Sequence, residues 1–413
     1  MKIVASFGTI KNENQEILGK VDFCVEKLQP TPTEILLPGV IFSMRYPDDA
    51  GYVWNTIALG KDKAGSYLIN EAECFIAYPE LSSNPTYLPE YVTPVKLDCY
   101  DMSKYGKEAL STFIKRHRVK VIVFMSALPS TIDLEFFRKM DVYTLNTEND
   151  SFNHQQSDSL ARKSIKFFIR KVLKRQLHDL HLANAKSQKT FLSRFAQIPD
   201  SRLVLLTDGI DCDRFKPGDK CVARAQTGMA ADTFWVLSVA QARPEKRLDY
   251  IIRAAKHVTE ARPCVKVGFM HVGDSDGPLF FKLKSLVVEL GIEQVFHFAG
   301  RQDNLVPYYR AASIMVHAAE RESFGLAVVE GMACGLPVIA SAAAGPKETI
   351  VHEETGAVID IDDFDGFVSK ILLYIDNKEL MGKHGTKARE RASTHFSIER
   401  YGKELAQHVV RFL

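Results

Sequence analysis

Two glutamates stand eight positions apart in the segment Glu322-Ser-Phe-Gly-Leu-Ala-Val-Val-Glu330. We predict that Glu322 lies in the loop after a strand at 314–317 and that Glu330 lies inside a helix beginning near Gly325. Where a helix begins at the carboxyl edge of a parallel sheet, its unpaired N–H groups and partial positive charge suit a diphosphate. Glu330 can then accept both hydrogen bonds of a ribose diol, and Glu322 those of sugar hydroxyls. The alternative is that both carboxylates only solvate a surface or favour a helix start.

Strands and helices that would position these glutamates alternate along most of the chain. Apolar runs predict strands at 2–7, 119–125, 140–145, 180–183, 201–206, 234–240, 265–272, 295–298, 314–317, 337–340 and 358–361. Amphipathic or capped segments predict helices at 107–117, 159–178, 187–195, 248–260, 279–290, 306–312, 325–333, 364–375, 378–394 and 398–412. The helix at 187–195 is predicted to open on a Ser187 cap. No element is assigned between Gly8 and Asp101, where the periodicity is weak.

This alternation predicts an α/β protein with two Rossmann-like, doubly wound domains that face each other across a cleft. The chain of 413 residues is long enough for two such cores. We expect an N-terminal, acceptor-side domain at 1–215 and a C-terminal, nucleotide-sugar-binding domain at 216–394, joined by a linker at 216–233. The last helix, in 395–413, is expected to cross back to the N-terminal domain.

Composition narrows the function classes. Hydrophobic residues make up 46% and charged residues 25%, and the net charge is +2, so a globular core is expected and global charge gives no argument for nucleic-acid binding. The seven cysteines include no C-x-x-C pair, and we interpret them as reduced thiols. The start lacks the apolar core of a signal peptide, and no stretch approaches 18 apolar residues. We therefore expect a cytoplasmic protein that is soluble or at most peripheral to a membrane.

The segment around the two glutamates resembles the E-x7-E signature of the retaining glycosyltransferases of GT-B family 4. The matching residues are Glu322, Phe324, Gly325, Glu330, Gly331, Met332, Ala333, Gly335, Pro337, Val338, Ile339, Ala340, Gly345, Glu348, Thr355 and Gly356. In the family this block holds the donor sugar nucleotide. The resemblance therefore implies donor contacts for Ser323, Phe324, Gly325, Leu326 and Glu330, and a catalytic role for Glu322.

A second match is the run 236–249, which is similar to the family's segment that supplies an arginine and a lysine to the donor diphosphate. Lys246 fits the lysine. The arginine falls at Gln241 here, and Arg243, two residues on, is the predicted replacement; an arginine fork can bond bidentately to phosphate oxygens. The runs 272–278 and 298–301 resemble the base and ribose pocket, which implies Gly273 and Arg301 as donor contacts. Asp208-Gly-Ile-Asp211 with Phe215 resembles the hinge-side turn.

The resemblance fades before Leu182, where acceptor residues are expected. Gly8 stands alone after the first predicted strand, and the family's middle-strand histidine is missing. Glu148, Asn149 and His154 are the candidates for its place, and loop residues without a role are the alternative. The basic helix at 162–175 is a candidate for contact with an anionic membrane, the alternative being a domain helix with a solvated basic face.

The function implied by the resemblance is a retaining glycosyltransferase that moves a hexose from a nucleotide diphosphate sugar to a glycan, lipid-linked or small-molecule acceptor. No metal and no cofactor are implied, because Arg243, Lys246 and the helix start at Gly325 and Leu326 would stabilise the leaving diphosphate. Gln241 followed by Arg-Pro-Glu-Lys, and the run 345–348, resemble lipid-linked-oligosaccharide mannosyltransferases, which favours GDP-mannose over a UDP-sugar. A nucleotide-sugar epimerase on the same fold and a non-catalytic GT-B scaffold are the alternatives.

Overall fold

A computed structural model describes residues 36–127, 131–148, 177–194, 196–273 and 276–413, and residues 37–413 cluster as one unit. The strands are β1 (Gly39–Ser43), β2 (Glu73–Tyr78), β3 (Thr93–Lys96), β4 (Val119–Met125), β5 (Tyr143–Glu148), β6 (Leu180–Ala183), β7 (Leu203–Leu205), β8 (Phe234–Val239), β9 (Val267–Val272), β10 (Phe296–Gly300), β11 (Ile314–His317), β12 (Val338–Ser341) and β13 (Gly356–Ile359). The predicted strand at 2–7 and the basic helix at 162–175 lie outside the described residues.

The helices are α1 (Tyr52–Leu68), α2 (Lys104–His117), α3 (Leu134–Lys139), α4 (Lys186–Arg194), α5 (Lys220–Thr227), α6 (Leu248–Ala261), α7 (Gly277–Glu289), α8 (Val306–Ala311), α9 (Leu326–Ala333), α10 (Ala344–Thr349), α11 (Phe364–Asp376), α12 (Lys378–His395) and α13 (Ile398–Val410). Short 3₁₀ turns cover Asp200–Arg202 and Pro244–Lys246. Among the described residues, no helix combines the length and apolar character needed to cross a membrane.

Two parallel sheets organise these elements. The first has the strand order β3-β2-β1-β4-β5-β6-β7 and the second has the order β10-β9-β8-β11-β12-β13. In each sheet the order reverses beside the first strand, between β1 and β4 and between β8 and β11. In such sheets ligands bind outside the carboxyl ends of the strands at this reversal. The topology therefore confirms the predicted fold class and points to two facing edges as the place for a site.

The strands are apolar because both faces of each sheet are covered. In β4, Val121 and Val123 face one cluster of buried side chains, whereas Ile122 and Phe124 face the cluster on the other side. All four side chains are fully buried. A strand buried on both faces appears in the sequence as a continuous apolar run, which is why the sequence places β4 without error.

Helix α13 packs on α1, beside the first sheet. Leu405 and Val409 of α13 join the buried cluster that contains Val40 and Phe42 of β1. Gly60 of α1 leaves room for the Tyr401 ring, because a Cβ there would stand 2.7 Å from that ring. The last helix is thus in contact with the N-terminal sheet. The domain boundaries at 215 and 394 stay predictions.

Three local expectations are wrong. The predicted linker at 216–233 contains α5, which starts on an Asp219 cap and ends at Gly228 with a φ of 71°. The strand predicted at 140–145 begins only at Tyr143, because α3 and its last turn occupy the residues up to Met140. Ser187 does not cap α4 but lies inside it, and the helix receives its cap from Glu348 of α10.

Candidate donor and acceptor cleft

A cavity of about 340 Å³ lies between the two facing sheet edges. Residues that follow strands or begin helices line it from both sides: Arg45, Tyr46, Trp54, Ser126, Asn184 and Asp208 on the first sheet's side, and Gln241, Lys246, Glu322, Ser323, Phe324, Gly325 and Leu326 on the second. The sequence predicts six of these seven second-side residues as donor or catalytic residues, all except Gln241. The cavity is thus built where the strand order of each sheet reverses.

Glu322 lines this cavity with a strongly acidic carboxyl group. It lies in the loop after β11, and its Oε2 is 2.7 Å from Lys246 Nζ and 3.2 Å from His317 Nε2. Burial alone would raise the pKa of Glu322, but the hydrogen bond and the electrostatic interaction with His317, together with the charge and hydrogen bond of Lys246, lower it to about 2. The carboxylate is therefore ionised at neutral pH and can only accept hydrogen bonds, from these residues or from sugar hydroxyls.

Lys246 reaches this carboxylate from the 3₁₀ turn that follows β8. The loop is fixed to the next one, because Glu320 N–H donates to Glu245 O at 3.0 Å. The Lys246 side chain is 22% exposed, so its ammonium stays accessible to a ligand in the cavity. Arg243 lies at the start of the same turn but lines a different depression, with Asp249 and Arg253 of α6 and residues of α7. The structure brings Lys246 and Glu322 together and leaves Arg243 outside.

Helix α9 begins beside Glu322. Its N-cap is Gly325, with a φ of 93°, and no side chain caps its first turn. A left-handed residue of this kind favours glycine. Gly345 of α10 binds the loop from behind: its N–H donates to Glu322 O at 2.9 Å, and a Cβ at Gly345 would stand 2.5 Å from Phe324 O. The N-terminus of α9 therefore faces the cavity with backbone N–H groups and the positive end of the helix dipole.

Glu330 lies one helical turn deeper, in a second cavity of about 320 Å³. Its side chain is 1% exposed, and Tyr309 Oη donates to Glu330 Oε2 at 2.7 Å. Gly273 and Arg301, both predicted donor contacts, line this same cavity. The two cavities share residues on both sides, namely Val53, Trp54, Val239, Ala240, Gln241, Leu326 and Ala327. A single elongated ligand can therefore occupy both.

Of the predicted acceptor residues, Glu148 lies within the described part of the chain, and it lines neither cavity. Glu148, at the end of β5, accepts from Asn146 Nδ2 at 2.7 Å and lies 2.9 Å from His181 Nδ1. This network holds the carboxyl edge of the first sheet. Gly8, Asn149 and His154 lie outside the described residues.

The first sheet instead presents residues that the sequence reasoning missed. Ser126 directly follows β4, Asn184 directly follows β6, and Arg45 stands two residues after β1. Asn184 is 3% exposed and donates through Nδ2 to Asp208 Oδ2 at 2.9 Å. The sequence contains a signal for Ser126 and Asn184, because each residue directly follows a strand that the apolar pattern predicts correctly. Arg45 could not be found in this way, since β1 was not recognised.

A contact between the two sheets' helices lies beside the cleft. Glu348 of α10 accepts hydrogen bonds from the N–H groups of Lys186, at 2.7 Å, and Ser187, at 2.8 Å, which open α4. Two N–H groups at a helix start have no partner within the helix, so this carboxylate acts as their cap. Since Gly345 of α10 also binds the Glu322 loop, α10 connects the donor-side loop to the opposite sheet.

This architecture is GT-B, as solved structures confirm. A glycosyltransferase from Rickettsia africae superposes with a TM-score of 0.74 at 18% identity, covering 91% of this chain and 98% of that one. The Anabaena protein HepE, solved in complex with UDP, superposes with a TM-score of 0.71 at 18% identity, covering 90% of this chain and 100% of that one. At these identities the likeness shows the fold alone.

The match to a known family lies in the second half of the chain. Residues 219–391 match the family described as glycosyl transferases group 1. D-inositol 3-phosphate glycosyltransferase of Mycobacteroides abscessus is 34% identical over 183 residues, which are 44% of this chain and 41% of that protein. N-acetyl-alpha-D-glucosaminyl L-malate synthase of Bacillus anthracis is 32% identical over 183 residues, 44% of this chain and 46% of that protein.

The aligned parts therefore amount to less than half the length of these two relatives. The predicted family resemblance is confirmed for the second half of the chain. The closer resemblance to mannosyltransferases stays a prediction.

Proposed function

We propose that the protein transfers a hexose from a nucleotide diphosphate sugar to an acceptor hydroxyl, with retention of the anomeric configuration. The observation that carries the proposal is the arrangement at the second sheet's edge. An ionised Glu322 held by Lys246 lies beside the glycine-capped start of α9, and the buried Glu330 lies one turn further on. These groups match the three parts of a nucleotide sugar in order: sugar hydroxyls, diphosphate and ribose.

The donor would occupy both cavities. Its nucleoside fits the cavity of about 320 Å³, where Glu330 can accept hydrogen bonds from the ribose and Gly273 and Arg301 form the wall. The diphosphate then falls at the start of α9 near Gly325, and the sugar reaches Glu322 in the cavity of about 340 Å³. The acceptor would enter that cavity from the first sheet's side.

The chemistry asks the protein mainly to stabilise the leaving group. When the bond between the sugar's anomeric carbon and the diphosphate oxygen breaks, negative charge grows on that oxygen. Lys246 and the start of α9 are fixed in place before the reaction, so they stabilise this charge without reorganising. The acceptor oxygen forms the new bond on the same face of the sugar, and its proton passes to the departing phosphate oxygen. No protein base is required in this scheme.

The choice of donor and acceptor rests on two different indications. The sequence favours GDP-mannose, whereas HepE was solved with UDP, so a UDP-sugar is the second candidate. The names of the two relatives refer to inositol 3-phosphate and malate, which are small hydroxylated anions, and acceptors of this class belong in the test set.

Turnover with and without acceptor tests the proposal. Purified protein is incubated with GDP-mannose, UDP-glucose or UDP-N-acetylglucosamine, and the released nucleoside diphosphate and any changed sugar are followed by NMR. A transferase releases nucleoside diphosphate faster when a hydroxyl acceptor is added and gives a product with the donor's anomeric configuration. Conversion of the donor sugar without any acceptor would instead establish an epimerase, and absence of nucleotide binding would establish a scaffold.

A further inference from the structure

The cleft lacks one cation at the place where the family pattern supplies it. Gln241 stands at the position of the family's arginine, and it lines the main cavity. Arg243, the replacement predicted from the sequence, lines a separate depression against α6 and α7. Lys246 is present, but its charge is already shared with Glu322 at 2.7 Å. Among the residues that line the main cavity, the second sheet therefore offers a bound diphosphate one paired ammonium and the partial charge of a helix start, whereas Arg301 lines the neighbouring cavity.

That supply falls short of what a diphosphate requires. A helix N-terminus contributes roughly half a positive charge, and Lys246 is offset by the ionised Glu322. Asp208 adds a further carboxylate to the same cavity. Binding two adjacent phosphates in this surrounding leaves their charge undercompensated, and charged groups in a partly enclosed cleft interact strongly. A second full cation in the main cavity would compensate this charge.

Arg45 lines the main cavity and can supply this second cation. It stands two residues beyond the end of β1 and lines the main cavity opposite Gln241 and Lys246. Its guanidinium forms no salt bridge and donates no side-chain hydrogen bond within the described residues. Its guanidinium is thus not paired with a carboxylate of the described residues, and its side chain is exposed.

The loop that carries Arg45 is held in position. Tyr46, the next residue, stacks on Trp54 of α1 with ring centroids 4.1 Å apart. Asp48 is buried and accepts from Ser82 N–H at 2.7 Å, and its carbonyl accepts from Thr86 N–H. The backbone around Arg45 is therefore fixed on the first sheet. A fixed arginine loses less entropy on binding phosphate than one on a mobile loop.

We propose that Arg45 is the second cation for the donor diphosphate, supplied by the first sheet in place of the arginine replaced by Gln241. This inference rests on the proposed function. Arg45 would contact phosphate oxygens bidentately across the cleft, so the diphosphate site is complete only when both sheets contribute. Nucleoside monophosphates, which lack the second phosphate, would use Arg45 less.

Paired affinities test the assignment. Isothermal titration calorimetry measures the affinities of GDP, GMP, UDP and UMP for the wild type and for the variants R45Q, R45K and R243Q. The control is R116Q, which removes the same charge at the exposed end of α2. We expect R45Q to weaken the better-binding nucleoside diphosphate about 10- to 100-fold, the usual range for hydrogen bonds to a charged group. Its monophosphate should change less than about threefold, R45K should recover part of the loss, and R243Q and R116Q should resemble the wild type.

The outcomes separate this inference from the proposed function. Suppose that the wild type binds nucleoside diphosphates. If R45Q then binds them equally well, or loses affinity for diphosphate and monophosphate to the same extent, Arg45 is not the diphosphate cation, although the donor site stands. If R243Q shows the selective loss, the cation is Arg243. A wild type that binds no nucleotide refutes the proposed function and the role of Arg45 with it.

Discussion

Replacing Lys246 by methionine tests whether the Lys246–Glu322 pair serves catalysis or only structure. Lys246 Nζ lies 2.7 Å from Glu322 Oε2, and the two side chains are 22% and 16% exposed. If Lys246 stabilises the leaving diphosphate, its removal costs about 3–4 kcal/mol in the transition state, which lowers kcat by roughly 10²- to 10³-fold. Methionine keeps most of the side-chain volume, so the change is mainly one of charge.

The same substitution has a structural cost that must be measured separately. Loss of Lys246 leaves Glu322 ionised in a confined site with His317 as its other partner. Breaking a fully buried pair costs about 3–5 kcal/mol and an exposed pair about 0–1, so we expect roughly 1–3 kcal/mol of unfolding free energy here. Turnover is therefore assayed well below the melting temperature, which is determined for the variant by circular dichroism.

A matched control removes a lysine charge elsewhere in the same half of the chain. Lys266 pairs with Asp232 at the surface, and both side chains are largely exposed. Lys266→Met should change kcat less than about twofold and the unfolding free energy by less than about 1 kcal/mol. A Lys246→Met protein that is destabilised but keeps kcat within about threefold of the wild type would show that the lysine only holds Glu322, and would refute the leaving-group role.

Three further substitutions test other parts of the site. Glu330→Ala should weaken nucleotide affinity by about 10-fold or more through loss of the ribose contact, and an unchanged calorimetric affinity of the folded variant would remove that contact. The pKa of Glu322 is lowered to about 2 from its ordinary 4.5, so its ionisation stabilises the folded state above pH 4.5. This stabilisation is lost as the pH falls towards 2. The wild type should therefore lose roughly 2 kcal/mol more than Glu322→Gln between pH 6 and pH 3 in urea titrations, and parallel losses would contradict the assigned pKa. Glu348→Ala should cost about 1–2 kcal/mol, because α4 loses its cap, whereas an unaltered melting temperature would show that the cap contributes nothing.

The second half of the chain could be predicted closely because its signals are local. The strand at 314–317 and the helix start near Gly325 follow from an apolar run and a glycine, and both stand within one residue of the structure. Glu322 and Glu330 follow from their places after this strand and inside this helix, Lys246 follows from the resemblance, and the structure places all three along two connected cavities. Their pairing was not predictable, since Lys246 and Glu322 are 76 residues apart.

The first half resisted prediction for physical reasons. The strand Gly39–Ser43 has five residues, and its apolar run is too short to separate from other buried segments by periodicity. Without that strand, Arg45 could not be assigned to a sheet edge. The prediction that Ser187 caps its helix is wrong because Glu348, which is distant in sequence, accepts the hydrogen bonds of the helix N–H groups. A carboxylate binds these groups more strongly than a hydroxyl does.

Nucleotide binding by the folded protein tests the central claim most directly. A thermal-shift panel compares GDP-mannose, UDP-glucose and ADP-glucose, each at about 1 mM, the upper end of typical KM values. We predict that one nucleotide class raises the melting temperature of the wild type and that Glu330→Ala abolishes most of that shift. No shift with any of the three donors, or an equal shift in Glu330→Ala, would contradict a donor site at the start of α9.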